Sequence, residues 1–212
     1  MSGIHLALLG MSFGGGIPDI GAAYQGGFFA GQISTAGNGI ADYNLVIAPK
    51  SSGQNSSKQW KTSNTSTAGT SSVIDGPTNS SNMNNASHPA AEFCEALTIG
   101  GFSDWYLPAK NEFEVCYFNL KPNTQNNSIT SGTNTNAVPS RGSNYTAGTP
   151  AQTAATDFQD GNTEALQGSF HWTSTESSAT QGWNQDPFNG VQAFVYGKTT
   201  SFFVRAVRRV AV

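Results

Sequence analysis

The chain has 212 residues and a formal net charge of -3, with 37% hydrophobic, 11% aromatic and only 11% charged residues. That charge excludes the phosphate-neutralising surface on which nucleic-acid binding rests, and no apolar run reaches the roughly 20 residues of a membrane-spanning helix, so membrane insertion is not expected. With 4 Trp and 13 Phe the chain is too aromatic for wholesale disorder; polarity supplied by Asn, Ser, Thr, Gly and Gln implies a core carrying long, uncharged, hydrogen-bonding loops, chemistry that also marks antibody paratopes.

Residues 1–19 are apolar and Gly-rich and end in Gly14-Gly15-Gly16-Ile17-Pro18. The segment lacks a basic start and a cleavage site, so it does not read as a signal peptide. Two readings stay open: an arm that docks on a neighbouring subunit, or a frayed terminus. The domain proper is expected over 20–212.

Gly27 to Ile33 reads as a strand whose glycines mark close backbone approach. Asn44 to Ala48 reads as a short buried strand ended by Pro49, and Gly37-Asn38-Gly39 supplies a turn that joins the two as a hairpin. Residues 51–87 are about half Ser, Thr and Asn and are expected on the surface, with Trp60 as an anchor.

Two helices carry the clearest periodicity. Ala90, Phe93, Cys94 and Leu97 form one apolar stripe, with Ser87 or His88 as cap, Pro89 in the first turn and Gly100 as the stop. Phe113, Cys116, Tyr117 and Leu120 repeat the spacing between Pro108 and Pro122. Cys94 and Cys116 make no metal motif. Both fall on expected core faces, and two buried thiols are favoured over a disulfide in a protein made in bacterial cytoplasm.

Residues 121–169 are polar and punctuated by Gly and Pro. A stretch this long without regular structure is uncommon, so it holds either unread strands or a functional loop, with Phe158 and Leu166 pinning it. Three strands follow: Phe170–Thr175, Gln192–Tyr196 and Ser201–Val210. Asn189-Gly190 and Gly197-Lys198 are read as turns. Strands, two helices, a long loop and strands again make an α+β fold.

Three segments in order carry a resemblance: Gly100-Gly101-Phe102-Ser103-Asp104-Trp105-Tyr106-Leu107-Pro108 with Glu112 after it, His171-Trp172-Thr173-Ser174-Thr175-Glu176, and Phe203-Val204-Arg205-Ala206-Val207-Arg208-Arg209. Together they resemble the C-type-lectin-like domain at the C-terminus of the Legionella collagen-like adhesin, over roughly residues 86–212. The segment from Ala22 to Gly31 and Val46-Ile47-Ala48-Pro49-Lys50 are similar to phage members of the same group. The resemblance implies a C-type-lectin-like fold with two helices, a small antiparallel sheet and long polar loops. It implies no shared enzymatic activity and names no ligand.

Asp104, Glu176, Arg205 and Arg208 match recurring charged positions of that family. In a chain so poor in charge they read as a structural ion-pair network that fixes helix against sheet. The candidate ligand-binding set is Trp60, Tyr145, Trp183, Asn184 and Asp186. Trp60 and Trp183 lie in polar loops where an aromatic ring can stack on a sugar or pin the loop to the core. Trp183-Asn184-Gln185-Asp186 echoes the Trp-Asn-Asp calcium motif of sugar-binding lectins, but no acidic cluster supplies the six to eight oxygens calcium takes. The related formylglycine-generating enzymes use reactive cysteines, for which no activating neighbour is visible here. His5, His88 and His171 show no triad logic. No catalytic residue, cofactor or metal is assigned.

The expected role is a bacteriophage virion protein, made in the host cytoplasm and carried on the tail or a surface appendage. Its partners would be other virion proteins, met through the N-terminal arm, and a host cell-surface glycan or outer-membrane protein. Homo-oligomerisation, as a trimer, would add avidity. The rival reading is a capsid-decoration or neck protein whose loops meet other virion proteins.

Overall fold

Strand β3 (Tyr43–Ile47) is hydrophobic on both faces, and its alternation sets the architecture. Leu45 and Ile47 point into one core; Val46, with Ala48 just beyond the strand, points into another. In the computed structural model, which describes residues 16–212, β3 pairs antiparallel with β2 (Gly27–Ile33) on one side and with β10 (Val207–Ala211) on the other. The short strands β1 (Ala23–Tyr24) and β5 (Ala137–Val138) both pair with β2 and complete this first sheet.

The second sheet runs β4 (Gln54–Gln59), β9 (Ser201–Arg205), β6 (His171–Glu176), β7 (Gly182–Gln185) and β8 (Gln192–Ala193). All its pairings are antiparallel except the short contact of β6 with β9. Four α-helices lie among the described residues: α1 (Lys50–Gly53), α2 (Gly76–Ser81), α3 (Pro89–Glu95) and α4 (Lys110–Leu120). The protein is thus a mixed helix-and-sheet structure.

The long helix α4 packs on β2 and β3 through Phe113, Val115, Cys116 and Leu120 against Ala30, Ile33, Leu45 and Ile47. Helix α3 sits in the other core, where Ala90, Ala91 and Cys94 meet Trp60, Trp105, Trp172 and Val204. Trp105 and Trp172 bury essentially all of their surface there, and such rings dominate the energetics of a core. Cys94 and Cys116 are free, buried thiols in different cores, and burial holds both well above the usual thiol pKa.

Strand β2 matches the expected range, and the β2–β3 hairpin forms as read. The register shifts between Phe29 and Gly31. Gly31 has φ +127, and a Cβ there would drive into Val115 and Asn119 of α4, so only glycine allows this close approach.

Three expectations need correction. Residues 51–87 lie largely on the surface with Trp60 as their buried anchor, but they are not one loop: they hold β4 and α2, and Thr70, Asn79, Ser80 and Met83 are buried as well. The Asn79 amide donates to Ser72 O at 2.6 Å and the Trp60 ring N–H to Thr173 O at 2.9 Å. The strand read at 192–196 stops at Ala193. The single strand read over 201–210 is two strands, broken at Ala206, which belong to different sheets. Ala206 N–H bonds Gly53 O at 2.9 Å and its carbonyl accepts from Ala48 N–H at 2.9 Å, so the chain crosses between sheets while staying hydrogen-bonded. Residues 121–169 stay largely irregular, and Phe158 and Leu166 are fully buried in the α4 core.

Of the N-terminal arm, residues 1–15 lie outside the described residues. Ile17, Pro18, Asp19 and Ile20 line a cleft against Phe29, Asn119 and Pro139. Among the described residues no helix is long and apolar enough to cross a membrane.

Candidate ligand-binding site

The charged positions singled out in the sequence do not form one network. Arg208 and Asp104 pair bidentately, at 2.7 and 2.8 Å, and the guanidinium lies 3.9 Å from the centre of the Phe102 ring. Arg205 instead pairs with Glu164 at 2.7 Å and also donates to Ala48 O at 2.6 Å. Glu176 pairs with Lys198, whose ammonium also donates to Thr65 O and Ala179 O. The pairs that bind α4 to its surroundings are Glu112–Arg209 and Glu114–Arg141. Lys198, Glu164 and Arg141 come from polar loops, where no spacing rule marks a partner. All five pairs are structural contacts between separate chain segments.

The candidate binding residues also separate. Trp60 has no exposed surface; the Lys198 ammonium sits 4.5 Å from its ring centre and His88 packs edge-on at 5.7 Å. It is a core anchor with no face for a sugar. Tyr145 is buried as well: its hydroxyl donates to Glu114 Oε1 at 2.7 Å and its ring lies 5.6 Å from that of Tyr117. Burial raises the Tyr145 hydroxyl well above the usual tyrosine pKa. Asn184 turns inward, and Asp186 caps the turn after β7 by accepting from Phe188 N–H at 2.9 Å. The lectin-like Trp-Asn-x-Asp run is therefore part of a hairpin. Among the described residues no cluster of three or more His, Cys, Asp or Glu side chains stands together to hold a metal.

Trp183 is the member that faces solvent-accessible space, and the hairpin explains how. Strands β7 and β8 pair with Gln185 opposite Gln192 and Asn184 opposite Ala193. Alternation then puts Trp183, Gln185, Gln192 and Phe194 on one face. The rings of Trp183 and Phe194 lie 4.7 Å apart at 57°, and Phe194 is 47% exposed. Lys110, the first residue of α4, holds its ammonium 4.7 Å from the centre of the Trp183 ring. Its backbone N–H is fixed by Thr175 Oγ1 at 3.0 Å.

Together with Thr130, Ser131, Gly132, Thr133 and Asn144, these residues enclose a pocket of about 190 Å³. Gly132 shapes its floor: φ is +112, and the backbone lies so close to the Tyr145 ring that a Cβ would collide with it. The Ser131 hydroxyl accepts from Gln192 N–H at 2.9 Å and locks β8 to the loop. The Gln192 side-chain nitrogen is buried with no hydrogen-bond partner. Neighbouring Gln185 uses its amide nitrogen on the Tyr145 hydroxyl and Gly190 O, at 3.3 and 3.2 Å.

The arrangement is an aromatic pair rimmed by hydroxyls, amides and one ammonium. Sequence reasoning found Trp183 through its polar surroundings but missed Lys110, Gln192 and Phe194, which the fold brings to it from α4 and β8. A wider cleft of about 720 Å³ lies elsewhere, between Ile20, Phe118 and residues 148–155, and Asp19 is the one titratable side chain in its lining. The chain matches no family model and no curated protein.

Proposed function

We propose that this chain is a non-catalytic attachment module of a bacteriophage virion that holds a host-surface saccharide on the β7–β8 hairpin. The observation that carries the reading is the Trp183–Phe194 pair, set in a small pocket whose other walls are hydroxyl, amide and ammonium groups. Aromatic faces take the apolar side of a sugar ring, and amides and hydroxyls take its hydroxyl groups. The ordered motifs shared with C-type-lectin-like adhesion domains support the same reading, with a lectin-like frame presenting loops. A single shallow pocket binds weakly, and display of several copies, as in a trimer on a tail or appendage, multiplies the effect.

The test is adherence of the labelled chain to a panel of bacterial strains and to their purified surface polysaccharides. The chain is expected to adhere to some of them, and Trp183→Ala to lose that adherence while keeping its melting temperature. Adherence unchanged in Trp183→Ala would remove the site from the reading.

A second reading draws on Ile129, Phe188 and Val195, apolar side chains that are 66%, 48% and 65% exposed. Such residues suit a contact with another virion protein, as in a capsid-decoration or neck component. Imaging of the virion separates the two: a pocket open to solvent fits attachment, and a pocket buried against a neighbour fits the structural role.

A further inference from the structure

The chain has ten Lys and Arg residues, all among the described residues. Five of them, Arg141, Lys198, Arg205, Arg208 and Arg209, are paired with carboxylates. Lys61 and Lys121 direct their ammonium groups to backbone carbonyls, those of Thr65 and Ser66 and those of Gln125 and Pro150. Lys58 holds its ammonium 5.5 Å from the Phe93 ring centre, and Lys110 likewise faces a ring. It is half-buried in the wall of the hairpin pocket, and the contact its ammonium makes there is with the Trp183 ring. The carboxylate that acts on it electrostatically, Glu114, has its oxygens taken by Arg141, Asn134 and Tyr145. Burial accordingly lowers the Lys110 pKa.

The same pocket holds a second uncommitted donor. The Gln192 amide nitrogen is buried without a partner, although buried donors are nearly always satisfied. Ser131 Oγ accepts from the Gln192 backbone N–H. Two donors of the pocket lining, Lys110 Nζ and Gln192 Nε2, thus lack a bonded acceptor beside an aromatic platform, while Gln185 Oε1, buried and also unpartnered, lies outside that lining. Its complement is a ring that carries a group of acceptors with negative charge.

Building on the saccharide reading of this pocket, we infer that its ligand is an acidic saccharide whose carboxylate is held by the Lys110 ammonium and the Gln192 side-chain amide while its ring rests on Trp183 and Phe194. A carboxylate offers two acceptor oxygens and no donor, which matches what the two side chains leave unfilled. The ammonium, kept over the indole face, then has a counter-charge in place of water.

The experiment is an NMR titration of the full ¹⁵N-labelled chain, following the indole N–H of Trp183. The probes are the methyl glycosides of glucuronic, galacturonic and N-acetylneuraminic acid, each compared with its own methyl ester, which keeps the sugar and removes the charge. At least one acid is expected to shift the Trp183 signal and to bind at least tenfold more tightly than its ester. Lys110→Gln is expected to abolish that preference while the dispersion of the spectrum stays intact. Equal binding of acid and ester, or a preference that survives in Lys110→Gln, overturns the carboxylate assignment and leaves a neutral-saccharide site standing. If no probe shifts Trp183 while the chain still adheres to cells, the carboxylate assignment falls and the attachment reading stands; if neither occurs, both fall.

Discussion

Glu112 on α4 and Arg209 on β10 meet at 2.7 Å, and this contact joins the longest helix to the edge of the first sheet. Glu112 is fully buried, and its other bonds come from the Tyr106 hydroxyl at 2.6 Å and the Ala109 N–H at 2.7 Å. Burial raises the Glu112 carboxyl above the usual range, opposed mainly by Arg209. The group is therefore costly to hold and is held by three bonds, from Tyr106, Ala109 and Arg209.

Glu112→Ala should destabilise the protein by about 3–5 kcal/mol, the range for breaking a buried pair and stranding its cation. Tyr106 would also lose its acceptor, and Arg209 would lose its carboxylate. Urea denaturation monitored by tryptophan fluorescence measures it. A loss under 1 kcal/mol would show that the pair does not hold the helix.

Glu176→Ala should lower the melting temperature substantially, because Lys198 has no exposed side-chain surface and would be left without its counter-charge. Thr67 N–H, which bonds the same carboxylate at 3.0 Å, would lose its acceptor too, while the Thr70 hydroxyl keeps Thr67 O at 2.8 Å. The double variant Glu176→Ala/Lys198→Met should recover part of the loss, since the stranded charge is gone. Calorimetry of wild type, single and double variants reads this directly. A double variant no more stable than the single one would contradict the stranded-charge account.

His171 should weaken the protein in mild acid. It is fully buried, stacked between Phe113 and Phe203 with ring centres 5.3 Å away on each side. Ser169 O lies 2.8 Å from Nδ1, so Nδ1 carries the proton and donates. Burial holds its pKa down at about 3, against 6.5 when free. The unfolded chain thus takes up a proton between those values while the folded one does not. Stability from this group is present above about pH 6.5 and falls as pH drops toward 3. From pH 6.5 to 5 the loss is about 2 kcal/mol. His88, lowered to about 4 mainly by burial, acts in the same direction. The raised carboxyls of Glu112 and Glu114 act oppositely, gaining stability as pH falls. The discriminating measurement is therefore a difference: His171→Phe should show a shallower fall in stability from pH 7 to 5 than wild type. Parallel curves would sink the assignment.

Several elements were legible because their cause is local. The strand Gly27–Ile33 and the stripe Phe113, Cys116, Tyr117 and Leu120 repeat at the periods of a strand and a helix, and both appear where those periods place them. The polar stretch at 51–87 lies mostly on the surface, as its composition implies, but composition alone did not register its short strand and helix or the few polar side chains that turn inward, such as Asn79 and Thr70, which bond Ser72 O and Thr67 O. Trp60 turned inward and could not serve as a surface platform.

By itself the sequence determined the α+β class, the two periodic helices, the first of which ends at Glu95 with Leu97 and the expected stop at Gly100 beyond it, and the hairpin that begins the first sheet, because residues three, four or two apart settle those contacts. It also marked Trp183 as an aromatic ring among polar neighbours. Only the tertiary structure decided that residues 201–211 divide at Ala206 between two sheets, that Glu176 pairs with Lys198 and Arg205 with Glu164, and that Lys110, Gln192 and Phe194 converge on Trp183. Those partners are separated by up to 84 positions, Lys110 to Phe194, and each lies where strand pairing and helix docking bring it. Spacing along the chain carries no record of such encounters, since they depend on which sheet each segment joins.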